Sequence, residues 1–214
     1  MSGTNPVLVA GAPLAWTAEL AAIAAVGEPL LAADSGADSL ARLGLRAELV
    51  IGDLDSISPG TRAWLGEQAF VHLPDQERTD LDKALAHAFG PLGLERLTVL
   101  AATGGRVDHD AANLGLLARL ALGERLRFVT ADATLIAVSG AVELAAVPGE
   151  TWSFWTYDPA VTVRLEGLQW PVAGEALCLS ERPSVSNIAT AELVRVHADG
   201  GAVIVMRHHC GSRA

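Results

Sequence analysis

Positive charge is scarce in this chain. Lys83 is its only lysine, and lysine and arginine together number 15 against 25 aspartates and glutamates, a net charge of −10. That balance repels nucleic-acid backbones and anionic lipid surfaces, which argues against nonspecific binding to either. Any phosphate handled here must meet a local cation, either arginine or a bound metal. Two nucleotide motifs are missing: Lys83 follows Asp82, so no GxxxxGK[ST] loop exists, and no GxGxxG follows a strand-like run. Cysteine is also rare. Cys178 and Cys210 lack metal-ligand spacing, and a lone disulfide would be unusual support for 214 residues. The six histidines form no HExxH pattern, and His208 and His209 are expected in a frayed tail, so a zinc site has little support. No apolar run nears the roughly 18 residues of a membrane span, because Glu28-Pro29 breaks the longest candidate. The opening MSGTNPVLVAGAP has no basic region leading into a long apolar stretch, so no signal peptide is expected. The expectation is a soluble, cytoplasmic protein.

Apolar mass, by contrast, is plentiful: half the residues are hydrophobic, ample for a core. Val7–Ala10, Pro29–Ala33, Leu49–Ile51, Leu97–Ala102 and Leu126–Thr130 read as short strands. Between them lie an Ala-rich helix through about Val26, a helix on SGADSLARLG closed by Gly44, a weak helix over 61–68 and a helix over 110–122. Strands alternating with helices predict a parallel sheet with helices on its faces. From about residue 133 the texture changes. TLIAVSG, TWSFWTY, AVTVRLEG, ALCLSE and AVIVMRH are short runs without helical period, which predict antiparallel β structure. The expected fold is α/β: an N-terminal parallel-sheet domain over 1–135, then a small antiparallel, β-sandwich-like domain over 136–214.

The acids fall at telling places. Asp34 follows PLLAA, Asp53 and Asp55 follow ELVIG, and Asp108 lies beyond LTVLAA within TGGRVDHD. Each follows a predicted strand on its C-terminal side, the edge where open α/β sheets bind ligands. Asp80 arrives differently: Thr79 reads as the N-cap of a helix, with Asp82 three residues on as a capping box. Alone, Asp80 is explained by the helix dipole, worth about 0.3–1 kcal/mol, and Asp34 by an N-cap. Asp53 and Asp55 resist such an account, since side chains two apart in extended backbone can point the same way and like charges held together need a cation. Carboxylates without thiolate or imidazole partners suit Mg²⁺ or Mn²⁺. In TGGRVDHDAANLGLL, Gly104-Gly105 lets the backbone approach a ligand, Arg106 offers a fork for phosphate oxygens, and Asp108 or Asp110 would cap the helix. The role of His109 stays open.

Taken in order, ADSGADSLARLG, IGDLDSI, DQERTDLDKAL and TGGRVDHDAANLGLL resemble the pattern of thiamine pyrophosphokinases: DGGAN, GDxDS, a TD at a helix start, then GGRxDH followed by asparagine. GLQWPV and SVSN are similar to elements of that family's C-terminal thiamine-binding β domain, so the resemblance covers nearly the whole chain. It implies a catalytic α/β domain and transfer of a diphosphate group from ATP to the hydroxyl of thiamine, giving thiamine diphosphate and AMP. It also implies a homodimer with thiamine at the subunit interface. Carried over by position, Asp53, Asp55 and Asp80 would gather Mg²⁺ and the triphosphate. Asp34, Gln76, Thr79, Arg106 and Asn113 would lie near nucleotide and phosphate, and Asp108, Trp170, Ser186 and Asn187 near thiamine. An indole such as Trp170 suits a cationic ring, worth about 0.5–2 kcal/mol.

Either Asp108 or Asp80 would accept the hydroxyl proton; the residues do not choose between them. Two departures from the pattern stand out, since Ser35 and Asp38 replace the second residue and the last of DGGAN. Alternatives are a pyrophosphokinase acting on another alcohol, such as a pterin-type one, and a non-catalytic thiamine or nucleotide binder. A purely structural domain would leave the acids without a compensating cation.

Overall fold

Four short apolar runs form the centre of a parallel sheet in the computed structural model, which describes residues 5–209. They are β1 (Val7–Val9), β2 (Leu30–Ala33), β3 (Leu49–Gly52) and β5 (Leu97–Leu100), and nearly every residue in them is buried. Burial on both faces explains why these strands read as apolar runs, interrupted only by Thr98, with no polar alternation. The edge strand β4 (Phe70–His72) is half exposed, and sequence patterning misses it. Strand β6 (Leu126–Val129) lies beside β5, giving the order β4-β3-β2-β1-β5-β6. The pairs β1–β2, β2–β3, β3–β4 and β1–β5 are all parallel.

The helices are α1 (Ala18–Ala25), α2 (Gly36–Arg42), α3 (Pro59–Leu65), α4 (Asp80–Phe89) and α5 (Val107–Leu120). Helix α3 starts earlier than the expected 61–68, because Ser58 caps it by accepting from Thr61 N and Pro59 supplies a preset first turn. Helix α4 begins as its sequence suggests: Thr79 Oγ1 accepts from Asp82 N at 3.3 Å. It buries Leu81, Ala84, Leu85 and Ala88 on one face. Helix α5 starts three residues before the expected 110. At α2, glycine is obligatory, since a Cβ on Gly36 would stand 2.1 Å from Val9 O. No helix among the described residues is long and apolar enough to cross a membrane.

The chain divides into two compact units, one of residues up to Asn113 with Phe128–Ala131, the other of Leu114–Arg127 with the chain from Asp132 onward. The second is antiparallel. Its frame is a pair of long strands, β7 (Ala133–Ala145) and β12 (Leu193–His208), in register from Leu193↔Ala145 to His208↔Ala133 with a bulge between Ala198 and Ala202. Before the bulge β12 also pairs with β9 (Thr162–Glu166), which carries β10 (Val172–Ala176); after it, β12 pairs with β8 (Thr151–Trp155), which carries β11 (Ser184–Ile188). Its core gathers Ile136, Val138, Trp152, Phe154, Val163, Leu165, Val196 and Val205.

Three expectations need correction. Beyond Ala176, which ends β10, ALCLSE forms no strand; Cys178 makes a single bridge to Thr156. His208 is no frayed residue: it ends β12, half-buried, with Nε2 3.5 Å from Ser153 Oγ. His209 is tied as well, its N–H donating to Asp132 O and its Nε2 lying 2.9 Å from Thr134 Oγ1. Cys210 lies outside the described residues.

Candidate active site

The strand order reverses at β1, whose neighbours β2 and β5 lead the chain away on opposite sides. Beyond the carboxyl ends of such strands an α/β sheet leaves a crevice. Here the crevice is a cavity of about 550 Å³ lined by the loop after β1 (Ala10–Pro13), by Asp34 and Ser35 after β2, by Thr79 and Asp80, and by Gly104–Arg106, His109 and Asn113 after β5. The backbone at this edge is unusual. Asp34, Leu54 and Ala101, each one or two residues past a strand, have φ of 44°, 66° and 55°. Non-glycine residues held in the left-handed region cost of order 1–3 kcal/mol each and cluster at functional sites.

These turns gather charge. Asp34, Asp53 and Asp80 each present a carboxylate oxygen within 4.8 Å of the others. Asp34 is 5% exposed, and its Oδ1 is buried without a hydrogen-bond partner. Burial pushes the Asp34 carboxyl above the ordinary range, and the Asp80 carboxylate adds to the rise. Gly52 clears the space, since a Cβ there would lie 3.1 Å from Asp80 Oδ1 and 3.2 Å from Asp34 Cβ. Lys83 enters the cluster from below, 3.1 Å from Asp80 Oδ1 and 3.6 Å from Asp53 Oδ2. Burial alone would depress the Lys83 ammonium, but the two carboxylates outweigh it and hold its pKa above the ordinary lysine value. At Asp53, burial is likewise outweighed, by Gln76, by the N–H of Asp55 and by Lys83, so its pKa falls below the usual range. Three carboxylates with a buried, unpartnered oxygen among them fit a hard divalent cation.

The other expected residues fall into three groups. Asp55 is exposed and outside this trio: Leu54, left-handed between the two acids, turns the chain, and the Asp55 carboxylate accepts from Ser56 Oγ at 2.8 Å. Gln76 joins the cluster by donating Nε2 to Asp53 Oδ2 at 3.1 Å, and Thr79 and Arg106 line the cavity. Asn113 is buried there, donating to Ala102 O at 2.7 Å while its Oδ1 has no partner. Asp108 is not among the residues lining the cavity. It takes both ends of the Arg106 fork at 3.1 and 2.6 Å, which holds its carboxyl at about 2. The N–H groups of Gly104 and Gly105 donate to Asp110, which therefore ties the glycine loop to α5. Gly105 is needed for space, since a Cβ would stand 2.9 Å from Pro13 Cδ.

Both departures have structural accounts. Ser35 fits because residue 11 is glycine: a Cβ there would meet Ser35 Oγ at 2.6 Å. Asp38 accepts from Ser58 Oγ at 2.7 Å and Ser58 N at 3.1 Å, which ties α2 to the cap of α3.

Trp170, Ser186 and Asn187 come together in the β unit. Asn187, 1% exposed, accepts from Trp170 N and donates to Trp170 O, at 3.1 and 2.7 Å. Ser186, at φ 57°, donates its N–H to Ser153 Oγ. The Trp170 side chain stands 56% exposed on this clamp.

Sequence reasoning passed over Lys83 as a site residue and left Asp34 outside the metal set. A signal existed for Lys83, the only lysine, one helical turn from Asp80. Asp34 needed the tertiary fold, because its distance to Asp53 and Asp80 depends on strand neighbours.

Residues 27–129 match the thiamin pyrophosphokinase catalytic-domain model. A rice protein, thiamine pyrophosphokinase 1 of Oryza sativa subsp. japonica, is 25% identical over 76% of this chain; the match spans 66% of the rice protein, just under two thirds of its length. The structure of thiamine pyrophosphokinase from Bacillus subtilis superposes with a TM-score of 0.78 at 21% identity, over 95% of this chain and 98% of that one. A Lactobacillus plantarum protein gives 0.80 at 24% identity, over 97% and 99%. At those identities the solved structures speak for the fold, an α/β part followed by a β part. Together, the domain match over just under half of the chain, the rice relative and the shared fold make this chain similar to the thiamine pyrophosphokinases.

Proposed function

We propose that this protein transfers a diphosphate group from ATP to the hydroxyl of thiamine, releasing AMP. The observation that carries the reading is the trio Asp34, Asp53 and Asp80, with its unpartnered buried oxygen, at the carboxyl ends of β2 and β3 where Asp34 and Asp80 line the cavity. Three carboxylates in so small a space are unfavourable without a cation, and phosphate oxygens commonly complete the shell of such an ion. Mg²⁺, or Mn²⁺ in its place, held by Asp34, Asp53 and Asp80 would neutralise the charge that spreads over the phosphates in the transition state. Asp55, exposed at the same turn and accepting from Ser56 Oγ, adds to the negative field there.

The protein's own part is placement. Gln76 steadies Asp53, and Thr79 sets the start of α4 and so the position of Asp80. Arg106 lines the cavity while its guanidinium is held by Asp108, and the Asn113 Oδ1 offers an acceptor to a nucleotide. Of the two acids considered as proton acceptors, Asp108 is a poor base, since Arg106 holds its carboxyl at about 2. Thiamine belongs with Trp170, Ser186 and Asn187, in the β domain of residues 136–214, where the exposed indole can cover a cationic ring. The homodimer with thiamine at the subunit interface, and the cytoplasmic location, are part of the same reading.

The test is AMP release from ATP and Mg²⁺ with and without thiamine, with products identified by mass. Thiamine-dependent AMP together with thiamine diphosphate is the expected result. AMP formed only with another alcohol, such as a pterin-type one, would replace the acceptor. Binding of thiamine and ATP without AMP would replace the reaction.

A further inference from the structure

Lys83 is the only lysine of the chain and is 1% exposed. A buried ammonium is costly unless paired, and this one is paired twice, with Asp80 and Asp53. It does not line the cavity, although Asp34 and Asp80 do. Its ammonium is already committed to two carboxylates and hidden behind them, so it is badly placed to grip a phosphate as a P-loop lysine does. Its effect must pass through the acids it touches.

With Lys83, the trio carries three negative charges and one positive, a net of −2. We propose that Lys83 is the built-in counter-cation of the carboxylate trio, a positioning residue that keeps free divalent metal weakly bound so that metal is held firmly only together with a triphosphate. This rests on the metal reading given under Proposed function. Two physical consequences of one fixed charge support it. Without metal, the ammonium offsets the mutual repulsion of Asp53 and Asp80 and keeps them where the ion will sit. With metal, the same ammonium repels the incoming cation and attracts the phosphates that accompany it. The site thus favours a metal–nucleotide pair over bare metal, through a residue that need touch neither.

The prediction has opposite signs for the two ligands, which a merely structural role does not produce. Lys83→Gln removes the charge and keeps a polar group near the acids. Mn²⁺ alone, titrated by electron paramagnetic resonance, should bind this variant about tenfold more tightly than the parent. An ATP analogue with a methylene between its α and β phosphorus atoms, titrated with Mg²⁺, should bind it several-fold more weakly. If the variant fails to fold in EDTA, Mn²⁺ should restore folding, because the ion replaces the missing positive charge. Weakened binding of both ligands, unchanged Mn²⁺ affinity, or a variant unfolded with and without Mn²⁺ would overturn the counter-cation role. A parent protein that binds neither Mn²⁺ nor the analogue would instead overturn the metal reading beneath it.

Discussion

The Asn187 clamp and the carboxylate trio are built in opposite ways, although the β unit also buries the indole nitrogens of Trp152 and Trp155 without hydrogen-bond partners. In the β unit, Asn187 uses its whole amide: it donates to Trp170 O and Ser184 Oγ and accepts from the N–H groups of Trp170 and Ile188. The α/β unit instead crowds three carboxylates together, leaves Asp34 Oδ1 and Asn113 Oδ1 buried without partners, and holds Asp34, Leu54 and Ala101 in left-handed backbone. A satisfied buried network maintains shape, and its loss shows as lost stability. An unsatisfied one marks where a ligand completes the bonding, and its loss shows first in function.

If that contrast is right, the largest effects fall on turnover at the trio. Asp53→Asn and Asp80→Asn should each lower thiamine-dependent AMP release about 10²–10³-fold with the fold retained by circular dichroism. Asp55→Asn, outside the trio, should lose about tenfold or less by the same electrostatic argument, with its charge still near the ion. Equal losses at Asp55 and Asp80 would move the metal position toward Asp55. Parent-like turnover in Asp80→Asn would remove the trio from the chemistry altogether.

Next comes the clamp under Trp170. Asn187→Ala strips two donors and an acceptor from a buried position and should cost about 2–3 kcal/mol in urea unfolding. A variant as stable as the parent would show that the β unit's network is dispensable.

A smaller effect is expected at Glu150, buried beside half-exposed Arg207 at 2.6 Å. Burial raises the Glu150 pKa, but the bonds from Arg207 and Val147 N outweigh it and bring it below the ordinary 4.5. A depressed carboxyl stabilises the fold above its unfolded value, and that contribution is lost as pH falls through the lower, folded one. Glu150→Gln should therefore cost about 1–2 kcal/mol at pH 7. The difference from the parent should shrink below pH 4.5. A gap that stays constant with pH would assign the effect to packing.

The smallest change is expected at Ser35→Gly, which restores the family's residue and should shift stability by less than about 1 kcal/mol. Gly11 already leaves room for the serine, so AMP release should stay near the parent rate. A large gain in turnover would mean that Ser35 obstructs the site.

Much of this was legible in one dimension. The strands of the parallel sheet announce themselves because their residues are buried on both faces and, Thr98 apart, are apolar. Edge strand β4, half exposed, leaves no such trace in FVH. Strand β12 was read only in its second half, because Asp199-Gly200-Gly201 looks like a turn. In the fold it is a bulge within one long strand, which lets β12 pair with β9 before it and β8 after it.

The same division runs through the site. The order and types of its acids, the cap at Thr79 and the scarcity of lysine are local properties of the chain, and they were enough to suggest metal-bound phosphate and a family. Which carboxylates meet is not local. Asp34, Asp53 and Asp80 converge because β2 and β3 are neighbours and α4 starts against their carboxyl ends, while the left-handed turn at Leu54 separates Asp53 from Asp55. The burial of Lys83 between two acids likewise depends on contacts from separate elements, and such contacts exist only once the chain has folded.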